Sequence, residues 1–177
     1  MTTYSHVFWN WFFARDRPWS WAFAFGGGVS DVIYLPLMLR VLFQDGPGSW
    51  GDLALWDAAA AHPLTRALHS FVPAGAALVA ARAVGARRVT PFLWGILTHA
   101  TLDMLTHVED AYPIFWPLSM YRFPTPVSYY DPAHFGREFF LIEHLALAVA
   151  GGLVLLRAAC RRRARTGPAA AGGGAPA

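Results

Sequence analysis

Apolar residues fill four stretches of the chain with few interruptions. They run from Trp19 to Phe43, from Leu64 to Val84, from Pro91 to about Thr106, and from about Phe139 to Cys160. A helix that crosses a bilayer needs about 20 mostly apolar residues. The third stretch is short and ends polar. The fourth has no polar side chain between Leu145 and Leu156, so it lacks the polar face that a surface helix of a soluble bundle needs. Tyr4 to Phe13 reads as a short aromatic helix, too short to span. The expected fold is all-α: an integral membrane helical bundle of about four transmembrane helices plus a short N-terminal interfacial helix. It forms one domain over residues 1–165. The Gly/Ala/Pro tail, 166–177, is expected to be disordered.

Composition agrees. The 177 residues suit one core, not two. Hydrophobic residues make up 55% and charged residues only 14%, against about 25% charged in soluble domains. That excludes a disordered chain, and no nucleic-acid partner is expected. The single cysteine, Cys160, excludes a disulfide framework or a thiolate zinc finger. All the basic residues are Arg, which with the high Ala content suggests a GC-rich bacterial source. Arg15 and Arg17 precede the first stretch. Arg82, Arg87 and Arg88 separate the second and third, and five Arg cluster from Arg157 to Arg165. Lys and Arg collect on the cytoplasmic side. The expected location is therefore the bacterial cytoplasmic (inner) membrane, multi-pass, with both termini cytoplasmic. Trp9, Trp11, Trp19 and Trp21 suit an inner aromatic belt, and Trp50, Trp56 and Trp116 an outer one. The first residues show no cleavable signal peptide.

Ionisable residues inside apolar helices are expensive, and so point to function. His99, Asp103 and His107 are spaced i, i+4, i+8, drift about 40° per step, and share one helix face. Gly95 lies one turn earlier on that face and is expected to leave open space there. His69 lies near the start of the second stretch, and Asp31 follows Gly26-Gly27-Gly28 in the first. The triplet is expected to break or kink its helix, placing Asp31 at a half-helix start. His134 and Glu138, again i, i+4, precede the fourth stretch, which contains Glu143 and His144. With the expected topology, three stretches bring acid and imidazole to one depth near the outer surface. Imidazole plus carboxylate without thiolate is a ligand set for a divalent metal, most often zinc, with manganese as the alternative. Two or three ions fit this number of ligands.

The run Gly95-Ile-Leu-Thr-His99-Ala-Thr-Leu-Asp103-Met-Leu-Thr-His107, followed by Pro113-Ile-Phe-Trp-Pro117-Leu-Ser119 and Arg122-Phe123, resembles the YdjM-type membrane-bound metal-dependent hydrolase family. His69-Ser70 resembles that family's His-Ser motif. Asp31 matches the first acid of its Pro-Asp-x-Asp segment, and His6 matches a His near its N-terminus. Ile33 stands where the family has a second acid, and His62 lies further upstream than the His that often precedes the His-Ser motif. The order of ligands is also similar, remotely, to that of the zinc-dependent phospholipase C and single-strand nuclease group. The resemblance implies a metal shell drawn from His6, Asp31, His69, His99, Asp103, His107, His134 and Glu138. For His6 it implies that the short N-terminal helix dips into the bilayer to reach Asp31.

The function expected is metal-dependent hydrolysis of a phosphoester or lipid-like small molecule at the bilayer, with Asp31 as general base. The alternatives are a non-catalytic metal-binding protein and a proton or ion relay, which also uses His, Asp and Glu within spans.

Overall fold

The computed structural model describes residues 1–46 and 53–166. Trp50 and the tail from 167 onward lie outside the described residues. Within them the chain is all-helical, with one isolated bridge, Pro113 to Arg122, and no strand. The helices are α1 (Thr3–Ala14), α2 (Ser20–Val29), α3 (Tyr34–Arg40), α4 (Leu53–Ala61), α5 (Pro63–Leu68), α6 (Phe71–Ala83), α7 (Thr90–Thr106) and α8 (Gly136–Thr166). The chain divides into two units. The first, Met1–Phe140, holds α1 to α7 and the irregular segment after them. The second, Leu141–Ala177, carries the rest of α8.

Two helical runs are long and apolar enough to cross a membrane, Ser20–Asp45 and Gly136–Ala164. Four were expected. The second expected stretch is opened by one capping residue just before it and cut in two by another inside it. His62 and Ser70 adopt extended backbone, and their side chains accept from the amides of Leu64 and Val72. Each thereby starts a new helix, and Pro63 fits the first position of α5. The remaining α6 has 13 residues, about 20 Å of helix against a hydrocarbon core of about 30 Å. At 17 residues, α7 reaches about 25 Å.

The glycine triplet does not break its helix. Helix α2 runs through it to Val29, tightens into a 3₁₀ turn over Ser30–Ile33, continues as α3, and ends in a π-helical turn over Val41–Asp45. The glycines serve close packing instead. A Cβ on Gly26 would lie 2.0 Å from the Phe92 carbonyl oxygen, and one on Gly95 2.2 Å from that of Phe23. Gly95 therefore leaves no open space: the backbone of α2 fills it. A Cβ on Gly27 would meet Asn10 Nδ2 at 2.3 Å, so α1 also approaches closely. Thr3 reaches Asp31 while Asn10 reaches the Phe23 carbonyl, so α1 runs antiparallel to α2. A small apolar core of Ala74, Leu78, Leu93 and Ile96 joins α6 to α7.

Candidate metal centre

Three separate segments deliver the central ligand set. Asp31 comes from the 3₁₀ turn after α2. His69 ends α5, immediately before the Ser70 cap. His99 and Asp103 come from one face of α7. Ser70 fixes the junction, because its hydroxyl lies 3.0 and 2.8 Å from the carbonyls of Ile114 and Trp116. The ligand atoms of these four residues lie within 4.8 Å of one another. His69, His99 and Asp103 are buried and Asp31 is half-buried.

The backbone sets the tautomers. Nδ1 of His69 lies 2.8 Å from the Thr65 carbonyl, and Nδ1 of His99 lies 2.6 Å from the Gly27 carbonyl. A carbonyl only accepts, so each Nδ1 carries the proton and donates it. In the neutral rings each Nε2 is then a bare lone pair. Those two atoms face each other at 3.1 Å. Around them, Asp31 Oδ1 lies 3.4 Å from His69 Nε2 and 3.6 Å from His99 Nε2. Asp103 Oδ2 lies 3.4 and 2.9 Å from the same two nitrogens. Four electron-rich atoms converge where each needs a positive neighbour. Two carboxylates within 4.8 Å repel by roughly 3 kcal/mol even at an effective dielectric of about 20. A tetrahedron with metal–ligand bonds of about 2.0–2.1 Å has edges of roughly 3.3 Å. The donor separations bracket that value, so the group could hold a metal ion. Each imidazole donating its far proton to a carbonyl is also the usual outer support of a metal-ligating His.

Asp103 has a second side. Its Oδ1 lies 2.9 Å from His6 Nε2, 3.3 Å from His107 Nε2 and 3.2 Å from the Met1 nitrogen. His107 Nδ1 donates to Asp110 Oδ2 at 2.6 Å, which turns its Nε2 toward Asp103. That Nε2 and His6 Nδ1 are buried without a hydrogen bond among the described residues. Burial outweighs the pull of Asp103 on His6 and lowers it to about 4, so the ring is neutral at neutral pH, the form that ligates. At His107 burial acts downward too, but Asp103 and Asp110 outweigh it and raise the imidazole to about 9, so that ring is charged at neutral pH and must release its Nε2 proton to ligate.

Aromatic rings close the cluster. His6 stacks on His99 with centroids 3.8 Å apart, and Tyr112 stacks on His69 at 3.9 Å. The Tyr112 hydroxyl lies 2.5 Å from that of Tyr34, and burial followed by this neighbour keeps the Tyr112 phenol protonated. Thr3 donates to Asp31 Oδ2 at 2.6 Å.

Of the residues singled out by sequence, the structure brings together His6, Asp31, His69, His99, Asp103 and His107. His134 is elsewhere: it ends the 3₁₀ turn Pro132–His134 with its Nδ1 2.8 Å from Asp131. Glu138 stands exposed in the first turn of α8. Glu143 and His144 belong to the second unit. Sequence reasoning passed over Thr3, Tyr34 and Asp110, and read Tyr112 only as part of an aromatic loop at the outer interface. Only Asp110 left a usable signal, an acid three residues after a ligand-type His. Comparison with protein-family models, with curated proteins and with solved structures finds no match for this chain.

Proposed function

We propose that the protein is a membrane-bound metal-dependent hydrolase of the YdjM type, acting on a phosphoester or lipid-like substrate in a bacterial inner membrane. The observation that carries this reading is the pair of carbonyl-locked imidazoles whose Nε2 lone pairs meet between two carboxylates. His69, His99, Asp31 and the Oδ2 side of Asp103 would hold one ion. His6, His107 and the Oδ1 side of Asp103 would hold a second. Zinc suits the donors best, with manganese next.

A bound ion of this kind lowers the pKa of water toward about 7 and stabilises anionic charge on a reacting phosphoryl group. The chain's own residues supply the rest. Asp103 is engaged on both oxygens, and its side chain is only 4% exposed, whereas that of Asp31 is 16% exposed. Asp31 is therefore the carboxylate that incoming water reaches, and as general base it would take the proton on Oδ2, the oxygen turned away from the ion, which has a lone pair left beside the Thr3 contact. Thr3 holds the far oxygen of Asp31 and so orients the near one. Tyr112 covers His69 and excludes water from that side.

The test uses full-length purified protein. Hydrolysis of bis-p-nitrophenyl phosphate that stops with a chelator, returns with zinc or manganese, and is absent in His99→Ala and Asp103→Ala supports the enzyme. Stoichiometric metal without hydrolysis points to the non-catalytic binder. A metal-free protein with proton flux in vesicles points to the relay.

A further inference from the structure

A second polar feature sits at the opposite end of α7 from the imidazoles. Helix α2 begins at Ser20, α6 ends at Ala83 and α7 begins at Thr90. Between these three ends lies a cavity of about 750 Å³, whose walls include Trp19, Phe23, Arg82, Arg87, Thr90 and Trp94. No carboxylate lines it. Among the described residues neither Arg82 nor Arg87 has an acidic partner, whereas Arg40 pairs with Asp45. The start of α7 also has no side-chain cap, since Val89 occupies that position. Its unpaired amides and the positive end of the helix dipole add to the charge at the cavity.

The chemistry selects a class of occupant. Arg82 and Arg87 are both exposed, so their guanidinium groups are open to an anion from outside, and phosphate oxygens match them best. The aromatic walls call for an apolar body attached to that anion. Sites of about 300–1,000 Å³ take ligands of lipid or drug size, more than an inorganic ion fills. The Arg82–Arg88 connection also has the charge that collects at a cytoplasmic membrane face, where anionic lipids reside. We propose that this cavity binds an anionic phospholipid, its phosphate held between Arg82 and Arg87 and its acyl chain lying along Trp19, Phe23 and Trp94. The site is separate from the imidazole cluster and does not depend on the chemistry proposed there. It rests on the chain being embedded in a membrane.

Native mass spectrometry of the full-length protein tests this, released from a neutral detergent carrying equal phosphatidylglycerol and phosphatidylcholine. One phosphatidylglycerol should be retained in preference to phosphatidylcholine. Arg82→Gln with Arg87→Gln should lower that retention about tenfold or more. Arg88→Gln makes the same charge change next door, outside the cavity wall, and should leave retention unchanged. Unchanged helical circular dichroism and an unchanged thermal unfolding temperature show that a variant is folded. If the double variant fails that check, Arg87→Gln alone carries the test, since this residue is exposed in a loop. Equal loss in Arg88→Gln would mean bulk charge attraction and would overturn the site. So would retention that survives in the folded variants. Displacement of the lipid by inorganic phosphate at matching concentration would overturn the lipid assignment in favour of a free phosphate ligand.

Discussion

The two ends of α7 treat polar groups in opposite ways. At the C-terminal end, His99, Asp103 and His107 are buried and their partners are chosen. Carbonyls hold Nδ1 of His69 and His99, Asp110 holds Nδ1 of His107, and the Nε2 of each ring turns inward. At the N-terminal end, Arg82 and Arg87 carry full charges and meet no counter-charge from the described residues. A buried polar group left unmatched costs several kcal/mol, and a cation held among Asp31, His69, His99 and Asp103 would meet that cost at the C-terminal end. An exposed arginine costs little, so the N-terminal end can stand open and take its anion from outside. If both proposals hold, one helix presents a pre-set interior site and an adaptable surface site, with the Gly26–Gly95 contact between them.

The largest effect should come from breaking that contact. Gly26→Leu drives a side chain into the Phe92 carbonyl and should cost about 3 kcal/mol or more, disturbing both ends together. Thermal unfolding in detergent measures it. Gly75→Ala, where nothing lies within 4 Å of the new Cβ, is the control and should be neutral or stabilising by about 0.5–1 kcal/mol.

Next comes Asp103→Asn. It removes the carboxylate that, among the described residues, serves both sides of the cluster, so it should abolish metal retention, while His6→Gln should lower metal content by one ion and leave the His69–His99 side loaded. Elemental analysis distinguishes the two. Equal losses in both variants would dissolve the distinction between the two sides of Asp103. A smaller effect is expected of Asp110→Asn, which touches the cluster only through His107. Loss of such outer support lowers metal affinity about 10–100-fold, read by titration against a zinc chelator. The smallest belongs to Tyr112→Phe. It removes one hydroxyl contact, worth about 1 kcal/mol of stability, and keeps the ring over His69. Metal content should not change.

Much of the cluster could be read from the chain because helical spacing is rigid. Once α7 is a helix, His99, Asp103 and His107 must share a face, and a pattern of imidazole and acid in apolar surroundings marks them. His69 was legible only by its depth and Asp31 only by its place after the glycines and its match to a family acid, since spacing does not say which way separate helices turn. The break at His69-Ser70 was missed because hydrophobicity runs straight across it, while the cap is made by one serine whose hydroxyl also meets a distant loop. The glycine triplet was misread for a related reason. A glycine's freedom to bend and its lack of a side chain look identical in sequence, and here the second property decides. Tyr34 and Tyr112 look like ordinary interfacial aromatics, and only folding brings their hydroxyls together.

X-ray absorption at the zinc edge of the zinc-loaded, full-length protein most directly examines whether these donors surround a cation. The arrangement requires nitrogen and oxygen neighbours at about 2.0–2.2 Å, with an imidazole signature that weakens in His69→Ala and His99→Ala. A sulfur neighbour at about 2.3 Å, which only Cys160 or a methionine could supply, or a spectrum untouched by either substitution, would contradict it.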